Sequence, residues 1–211
     1  MKIAIMGAGN VGGALGKLWA AKGHQVMFGV PDPQGAKTQG LIKSIGKQAQ
    51  AGSVKDAASF GEVIVLATPW PATQDAVRSA GDLAGKVVID CTNPLAADLS
   101  GLLVGTTNSA GEEVARWAKG AKVVKAFNTI GADNFGNPKF GSEAASMFIC
   151  GDDAAAKSLV GGLAAELEFD VMDVGPLTTA RLLEPLAMLW IHLALKQGWG
   201  PTGHAFKMLR R

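Results

Sequence analysis

The chain has 211 residues, of which 48% are hydrophobic and 18% charged, a composition that is typical of a globular domain and excludes a disordered chain. Its 20 Lys and Arg nearly balance its 18 Asp and Glu, and the net charge of +2 argues against a nucleic-acid-binding protein. The longest apolar segment, Leu186–Leu195, is far shorter than the roughly 20 residues of a membrane span, and Met1–Met6 lacks the apolar core of a signal peptide. We therefore expect a soluble, cytoplasmic protein with neither nucleic-acid nor membrane partners.

Short apolar runs alternate with segments of helical periodicity along the chain. The predicted strands are Lys2–Met6, Gln25–Phe28, Val63–Ala67, Lys86–Asp90, Lys122–Phe127, Ser146–Cys150 and Asp170–Val174. The helices predicted between them are Val11–Ala21, Gln39–Gln50, Ala72–Ala80, Glu112–Lys119 and Asp153–Glu168. This alternation predicts an α/β fold with a Rossmann-type, doubly wound and mostly parallel sheet.

After Val174 the pattern becomes helical, with several leucines on one helix face and a kink predicted at Pro185. We predict an NAD(P)-binding Rossmann domain over residues 1–174. Residues 175–211 are predicted to form a small helical C-terminal part that packs on the sheet or on a dimer partner. Because its apolar stripe exceeds what an isolated surface helix should show, we expect burial between two protomers.

The two cysteines, Cys91 and Cys150, each end an apolar run, so we predict buried free thiols at strand ends. Two cysteines are too few for a disulfide framework, and neither belongs to a Cys-x-x-Cys pair. The three histidines are scattered along the chain without zinc-ligand spacing, so no metal site is predicted.

The most specific motif is a glycine-rich loop between the first predicted strand and the first predicted helix. In such loops one glycine permits a tight turn, a second lets a pyrophosphate approach the backbone, and a third lets helix and strand pack closely. The helix N-terminus also favours an anion. In this strand–loop–helix context the motif predicts a dinucleotide site formed by Gly7, Ala8, Gly9, Asn10, Val11 and Gly12.

The end of the second predicted strand is where such proteins bind the adenosine ribose. An acidic residue there would bind the 2′-hydroxyl of NAD, whereas small polar and basic residues would bind the 2′-phosphate of NADP. This chain has Val30 followed by Pro31, and neither side chain can bind a 2′-hydroxyl or a 2′-phosphate. Lys37 is near enough in sequence to pair with a 2′-phosphate. These residues leave NADP and NAD as alternative cofactors.

Three further strand ends carry small polar residues and prolines. They read Thr68-Pro69-Trp70-Pro71, Cys91-Thr92-Asn93-Pro94 and Phe127-Asn128-Thr129-Ile130-Gly131-Ala132. Ligands of open parallel sheets bind beyond the carboxyl ends of the strands, where amides and hydroxyls can hydrogen-bond a nicotinamide carboxamide or a ribose. The predicted cofactor site therefore also includes Val30, Lys37, Thr68, Pro69, Trp70, Asn93, Pro94, Asn128 and Ala132.

No predicted strand ends in His, Glu or Tyr as an evident general acid, and no Ser-His-Asp or Cys-His set stands out. Lys125 and Asn128 suggest a Lys/Asn catalytic pair, but residues three apart on a strand face opposite sides, so we reject it. No catalytic side chain is predicted. A dinucleotide site of this kind favours hydride transfer between two flat rings in a dry slot, for which Trp70 and Phe127 are candidate walls.

The order and spacing of these motifs resemble those of the NADP oxidoreductases that depend on coenzyme F420. The resemblance covers nearly the whole chain, and it includes residues 150–153 (Cys-Gly-Asp-Asp) and the segment from Asp173 to Glu184. Related modules also form the cytosolic part of transmembrane metalloreductases. The main departure is at residues 30 and 31, where the family usually has Ser or Thr and then Arg.

The resemblance implies a homodimer with a Rossmann domain and hydride exchange between NADP and the deazaflavin ring of coenzyme F420. It also implies dinucleotide contacts from Ala8, Gly9, Asn10, Val11, Thr68, Asn93 and Ala132. The small-molecule acceptor is then coenzyme F420 or a flavin-like ring.

Other functions remain as alternatives. An imine or pyrroline-carboxylate reductase would add a long helical dimerisation domain, for which too few residues follow the predicted sheet. A flavin or ferric reductase is a second alternative, and a dinucleotide sensor without turnover is a third. The apolar and aromatic strand-end loops argue against the sensor, because a sensor needs no slot for a second ring.

Overall fold

The computed structural model describes all 211 residues and contains ten strands, which are numbered along the chain. They are β1 (Lys2–Met6), β2 (Gln25–Gly29), β3 (Ala49–Gly52), β4 (Val63–Leu66), β5 (Val87–Asp90), β6 (Lys122–Lys125), β7 (Lys139–Phe140), β8 (Glu143–Ala144), β9 (Ser146–Gly151) and β10 (Asp170–Asp173). Strands β7 and β8 form a separate small hairpin, and the other eight form one sheet.

Seven α-helices connect and follow the strands. They are α1 (Asn10–Ala21), α2 (Ala36–Ile45), α3 (Val54–Phe60), α4 (Trp70–Ala80), α5 (Ala110–Trp117), α6 (Ala154–Ala165) and α7 (Ala180–Leu195). Short 3-10 turns lie at Ala132–Asn134 and Leu177–Thr179.

Six strands of the sheet run parallel in the order β3-β2-β1-β4-β5-β6. Strand β9 pairs antiparallel with β6, and β10 pairs parallel with β9. The strand order reverses between β1 and β4, which is the switch point at which ligands bind in Rossmann sheets. The loops after β1, β4, β5 and β6 therefore meet at one edge, and the predicted α/β, doubly wound, mostly parallel fold is confirmed.

Burial follows the alternation of side chains along the central strands. Ile3 and Ile5 of β1 belong to a 26-residue core cluster, and Ala4 and Met6 belong to a 14-residue cluster. Helices α1, α2 and α6 contribute to the first cluster and α3, α4 and α5 to the second. Because helices cover both faces, β4 consists only of buried apolar residues.

Predicted and observed elements differ most between residues 36 and 60. The helix predicted over Gln39–Gln50 is wrong at its C-terminal end, because α2 stops at Ile45 and Gly46 takes a φ of 88°. The chain then forms β3 beside β2 and the short helix α3, which begins with a capping box. The sequence pattern predicts neither of these two elements.

The C-terminal tail folds back on the sheet of its own chain. Helix α7 packs Leu183 against Phe148 of β9, and Pro185 lies within the helix without ending it. Beyond α7 the chain returns to the sheet, where the N–H of Ser146 donates to the carbonyl of Phe206. The boundary of a separate C-terminal part stays a prediction. None of the helices combines the length and the apolar character that crossing a membrane requires.

Candidate functional site

The three glycines of the loop after β1 have different surroundings. Gly7 has a φ of +106°, and a Cβ there would lie 2.7 Å from the Ala67 carbonyl oxygen. A Cβ on Gly12 would lie 2.2 Å from the Gly7 carbonyl oxygen, so this residue must be glycine for helix and strand to pack. A Cβ on Gly9 would meet no protein atom within 4 Å. The fold therefore requires Gly7 and Gly12, whereas Gly9 leaves room for a ligand.

Helix α1 begins at this loop with its N-terminus open. Its N-cap residue is Gly9, no side chain caps the helix, and the first turn contains no acidic residue. The first N–H groups of a helix need an acceptor and carry the positive end of the helix dipole. The N-terminus of α1 is therefore suited to a phosphate.

A cavity of about 350 Å³ lies on one side of the loop, at the carboxyl end of β2. Gly7, Ala8 and Val30 line it, together with Thr68 and Pro69 from the loop after β4. No basic side chain lines this cavity. Its size and its position beside the glycine loop suit the adenosine half of a dinucleotide, and it offers a 2′-phosphate no cation.

A larger cavity, of about 720 Å³, lies on the other side of the loop. Parts of the segments 9–11, 67–71 and 91–103 line it, and no charged side chain does so. Leu95, Leu99 and Leu103 form an apolar part of the wall, and Leu103 is 61% exposed. Trp70 lines the same cavity and rests on Trp117, with ring centroids 5.2 Å apart.

A third cavity, of about 260 Å³, adjoins the large one, and the two share Asn10, Val11, Cys91 and Asn93 in their walls. Its remaining wall comes from the segment 127–133 after β6 and from the tail, through Trp190, Ile191 and Pro201. A ligand that extends from the α1 N-terminus would reach both cavities.

Two asparagines link the loops after β5 and β6 beside this smaller cavity. The amide nitrogen of Asn93 donates to the backbone carbonyl of Asn128 at 3.0 Å. The amide nitrogen of Asn128 donates to Oδ1 of Asn93 at 3.1 Å and to the carbonyl of Leu183 in α7 at 3.2 Å. The Oδ1 atom of Asn128 is buried and has no hydrogen-bond donor.

A buried ionic cluster lies next to this pair. The Lys125 ammonium donates to Asp90, to the carbonyl of Thr92 and to Glu184 of α7, and all three ionic side chains are at most 1% exposed. Burial alone would lower the pKa of Lys125, but the two carboxylates raise it above its usual range. Burial raises the pKa of Glu184, and Lys125 opposes that rise. The backbone N–H groups of Ala110 and Gly111 also donate to Glu184.

A Lys125/Asn128 catalytic pair was rejected because of strand alternation, and that reason was wrong. Lys125 nevertheless lines none of these cavities. Strand β6 ends at Lys125, and Phe127 takes a φ of 62°, so strand alternation does not extend to Asn128. The ammonium lies inside the cluster, where oxygen atoms hold it. The sequence reasoning missed the cluster itself, although a lysine inside an apolar strand was a signal for it.

Phe127 belongs to the wall of the smaller cavity, but its ring faces the core, so its role as a wall of an acceptor slot stays a prediction. Its side chain is 1% exposed and packs edge-on against Trp19, Phe135 and Phe169 in the core. The left-handed backbone at Phe127 accompanies this inward turn of the ring. Trp70 does line the large cavity, as the sequence suggested.

Cys91 and Cys150 are buried and free, as predicted. Cys91 is the one titratable residue in the wall of the large cavity. Burial, with a further contribution from Asp90, raises the pKa of this thiol far above its usual range, and Lys125 only partly opposes the rise. Burial likewise raises the pKa of Cys150 to about 12. Both thiols therefore stay protonated at neutral pH.

Most predicted cofactor-site residues line one of the three cavities. They are Gly7, Ala8, Gly9, Asn10, Val11, Val30, Thr68, Pro69, Trp70, Asn93, Asn128 and Ala132. Gly12, Lys37 and Pro94 line none of them. Lys37 is exposed near the start of α2, and Pro94 is buried. The leucines of segment 95–103 were missed, because they lie outside every predicted strand, helix and strand end.

The sheet order, the glycine loop and the cavities at the switch point define the class of protein, which is a Rossmann-type dinucleotide-binding protein. A model of the family "NADP oxidoreductase coenzyme F420-dependent" matches residues 2–94. The chain is 30% identical to the F420-dependent NADP reductase of Methanocaldococcus jannaschii, with 96% of each chain covered. The chain therefore belongs to the family of F420-dependent NADP oxidoreductases, which confirms the resemblance, and it is an NADP-dependent oxidoreductase.

Other similar proteins include two solved structures and one longer protein. The structure of a proposed F420-dependent NADP reductase from Arthrobacter sp. FB24 is 34% identical, covers both chains completely and superimposes with a TM-score of 0.90. The metalloreductase STEAP3 of Rattus norvegicus is 31% identical over 89% of this chain, which spans only 37% of that protein. A reductive aminase from Aspergillus terreus in complex with NADPH shares the fold alone, with 21% identity and a TM-score of 0.69.

Proposed function

We propose that this protein transfers hydride between NADP(H) and a planar acceptor of the deazaflavin or flavin type, with coenzyme F420 as the leading candidate. The observation that carries the proposal is the large uncharged cavity, which shares a wall with the smaller cavity beside the α1 N-terminus. Two rings that meet at such a shared wall are held close together and away from water.

The chemistry of the cavity walls supports this reaction type. Cys91 is the one titratable group in the large cavity, and it stays protonated. A carbonyl reduction needs a proton donor at the reacting oxygen, and no residue in this wall supplies one. Hydride transfer to a ring acceptor leaves a delocalised anion that can take its proton from water afterwards, so the wall has to position the ring during the transfer, which Trp70 and the leucines of segment 95–103 can do.

For NADP(H), which supplies or accepts the hydride when bound, we propose one path across the loop. The adenosine half occupies the cavity at Val30, the pyrophosphate lies on the α1 N-terminus beside Gly9, and the nicotinamide reaches Asn93 and Asn128. The open space at Gly9 and the uncapped helix support this arrangement. Because no cation lines the adenosine cavity, we expect only a moderate preference for NADP over NAD.

The acceptor is tested by steady-state NADPH oxidation with coenzyme F420, FMN and a ferric chelate as separate substrates. We expect the highest kcat/KM with coenzyme F420. Faster turnover of FMN or of the chelate would instead favour a flavin or ferric reductase, an alternative motivated by the similarity to the metalloreductase. NADPH binding without turnover of any acceptor would favour the sensor.

We further propose a cytoplasmic homodimer that forms through α7. Leu182 and Leu189 lie two turns apart on this helix and are 70% and 48% exposed, although the opposite face is buried against the chain's own sheet. Exposed leucines on one stripe suit a self-complementary interface. The variant Leu182→Asp/Leu189→Asp should sediment as a folded monomer where the wild type sediments as a dimer. A monomeric wild type would contradict the proposal.

A further inference from the structure

The side chain of Asn128 is unusual among the buried polar groups near the cavities. It is 5% exposed, and its nitrogen donates to two oxygens, on Asn93 and Leu183. Its oxygen has no donor. A buried acceptor without a donor is unfavourable, and native proteins rarely keep one without a reason.

The orientation of this amide is fixed by its neighbours. The nitrogen of Asn93 donates to the backbone carbonyl of Asn128, which can only accept, so the oxygen of Asn93 must face the Asn128 side chain. A rotated Asn128 amide would place its oxygen against the oxygens of Asn93 and Leu183. The unpartnered atom is therefore an oxygen and requires a hydrogen-bond donor.

A ligand can bring that donor. Asn128 lines the cavity of about 260 Å³ whose wall includes Asn10 and Val11, the first two residues of α1. A nicotinamide nucleotide held by that helix offers two kinds of donor there, the ribose hydroxyls and the carboxamide NH₂ group. The cavity also contains Cys91, and its protonated thiol is only a weak donor, which leaves the oxygen available.

We propose that Oδ1 of Asn128 accepts a hydrogen bond from the carboxamide NH₂ of the nicotinamide and so fixes the orientation of that ring. The inference rests on the proposed function. Asn128 is thus a positioning residue, and α7 takes part in the site because the carbonyl of Leu183 holds the amide in place. The site would then discriminate between pyridine nucleotides by their donor group.

The test compares two nucleotides that differ in this group. NADP⁺ has the carboxamide, whereas its 3-acetylpyridine analogue has a methyl ketone, which accepts hydrogen bonds but donates none. In calorimetric titrations the wild type should bind NADP⁺ about tenfold more tightly than the analogue. In the Asn128→Leu variant the two affinities should agree within about twofold, because NADP⁺ loses its partner and the analogue does not.

The matched control is Asn108→Ala. The amide of Asn108 is partly buried and donates to Glu113, and it lines none of the three cavities at the glycine loop. This variant should keep the wild-type preference for NADP⁺. The conservative variant Asn128→Ser serves if Asn128→Leu does not fold, and it should also reduce the preference.

Three results would overturn the inference. The first is equal binding of both nucleotides by the wild type, which can be measured without any variant. The second is an Asn128 variant that folds and keeps the full preference. The third is an equal loss of affinity for both nucleotides, which would assign the oxygen to a ribose hydroxyl. A wild type that binds neither nucleotide would instead contradict the proposed function.

Discussion

Two neighbouring groups at the ends of β5 and β6 use their polar atoms in opposite ways. In the ionic cluster of Asp90, Lys125 and Glu184, the ammonium has three acceptors and each carboxylate has several donors. In the pair of Asn93 and Asn128, one buried oxygen has no donor. Helix α7 contacts both groups through adjacent residues. The comparison suggests that the cluster serves the fold and that the pair serves a ligand.

The cluster is able to serve the fold because it joins four elements. Lys125 extends from β6 to Asp90 of β5, and Glu184 of α7 reaches the first N–H groups of α5. A buried charge is tolerated when it is paired and fully hydrogen-bonded. Removing one partner leaves the remaining charges buried without compensation, which destabilises the folded state. The amide pair has no charge and leaves one acceptor open.

The largest expected effect is the loss of the cation in the cluster. In Lys125→Met the carboxylates of Asp90 and Glu184 stay buried without a counter-charge, so the free energy of unfolding should fall by about 3–5 kcal/mol. Urea denaturation followed by circular dichroism measures this. A loss below about 1 kcal/mol would show that the cluster does not hold the fold.

The pH dependence sharpens this prediction. In the wild type the pKa of Lys125 is raised, so its stabilising contribution is complete below its ordinary pKa and is lost only as the pH rises through the higher folded value. In Lys125→Met the pKa of Glu184, which burial already raises, has no opposing cation. Folding then favours protonation, so the variant should lose further stability as the pH rises above the ordinary pKa of a glutamate carboxyl. A pH-independent deficit would contradict this cause.

The second prediction compares a glycine that leaves room for a ligand with a glycine that the fold requires. Gly9→Val should place its side chain where the protein has no atoms within 4 Å, so the fold stays stable while NADPH binding weakens at least tenfold, which is about 1.4 kcal/mol. Calorimetric titration with NADPH measures the affinity. Gly12→Val is the control, because its Cβ would collide with the Gly7 carbonyl and destabilise the fold. Unchanged affinity in folded Gly9→Val would remove the loop from the site.

The smallest predicted effect concerns the adenosine cavity, where the fold supplies no cation. Pro31→Arg should tighten NADP⁺ binding about fivefold and leave NAD⁺ nearly unchanged, because only NADP⁺ offers a phosphate to the guanidinium. Titrations with both nucleotides decide the point. An equal gain for both would show that the new arginine does not recognise the 2′-phosphate.

The sequence predicted the central strands well because their burial makes the pattern strong. Strand β1 was predicted with its observed bounds, since four of its five residues are apolar and buried. Strand β3 was missed because its sequence, Ala-Gln-Ala-Gly, has no β-branched or aromatic residue and owes its conformation to pairing with β2. Local propensity carried no information about that pairing.

Those parts of the candidate site that depend on local sequence could be predicted. The glycine loop and the strand-end amides follow from motifs next to strands, so their positions could be read directly. Lys125 inside an apolar strand is a sign of a buried ion pair, but its partners could not be predicted, because Asp90 is 35 residues away in sequence and Glu184 belongs to the tail. Nor could the turn at Phe127, where a bulky residue takes a positive φ for tertiary reasons.

The central claim is direct hydride transfer, and isotope labelling tests it most directly. NADPH is prepared with deuterium at C4 of the nicotinamide, in the 4R and 4S forms separately, and is oxidised by the protein with coenzyme F420 in ordinary water. We predict deuterium in the reduced acceptor from one form only, because the walls of the cleft hold the ring by one face. Reduced acceptor without deuterium from either form, or NADPH oxidation that leaves the acceptor unreduced, would contradict the account.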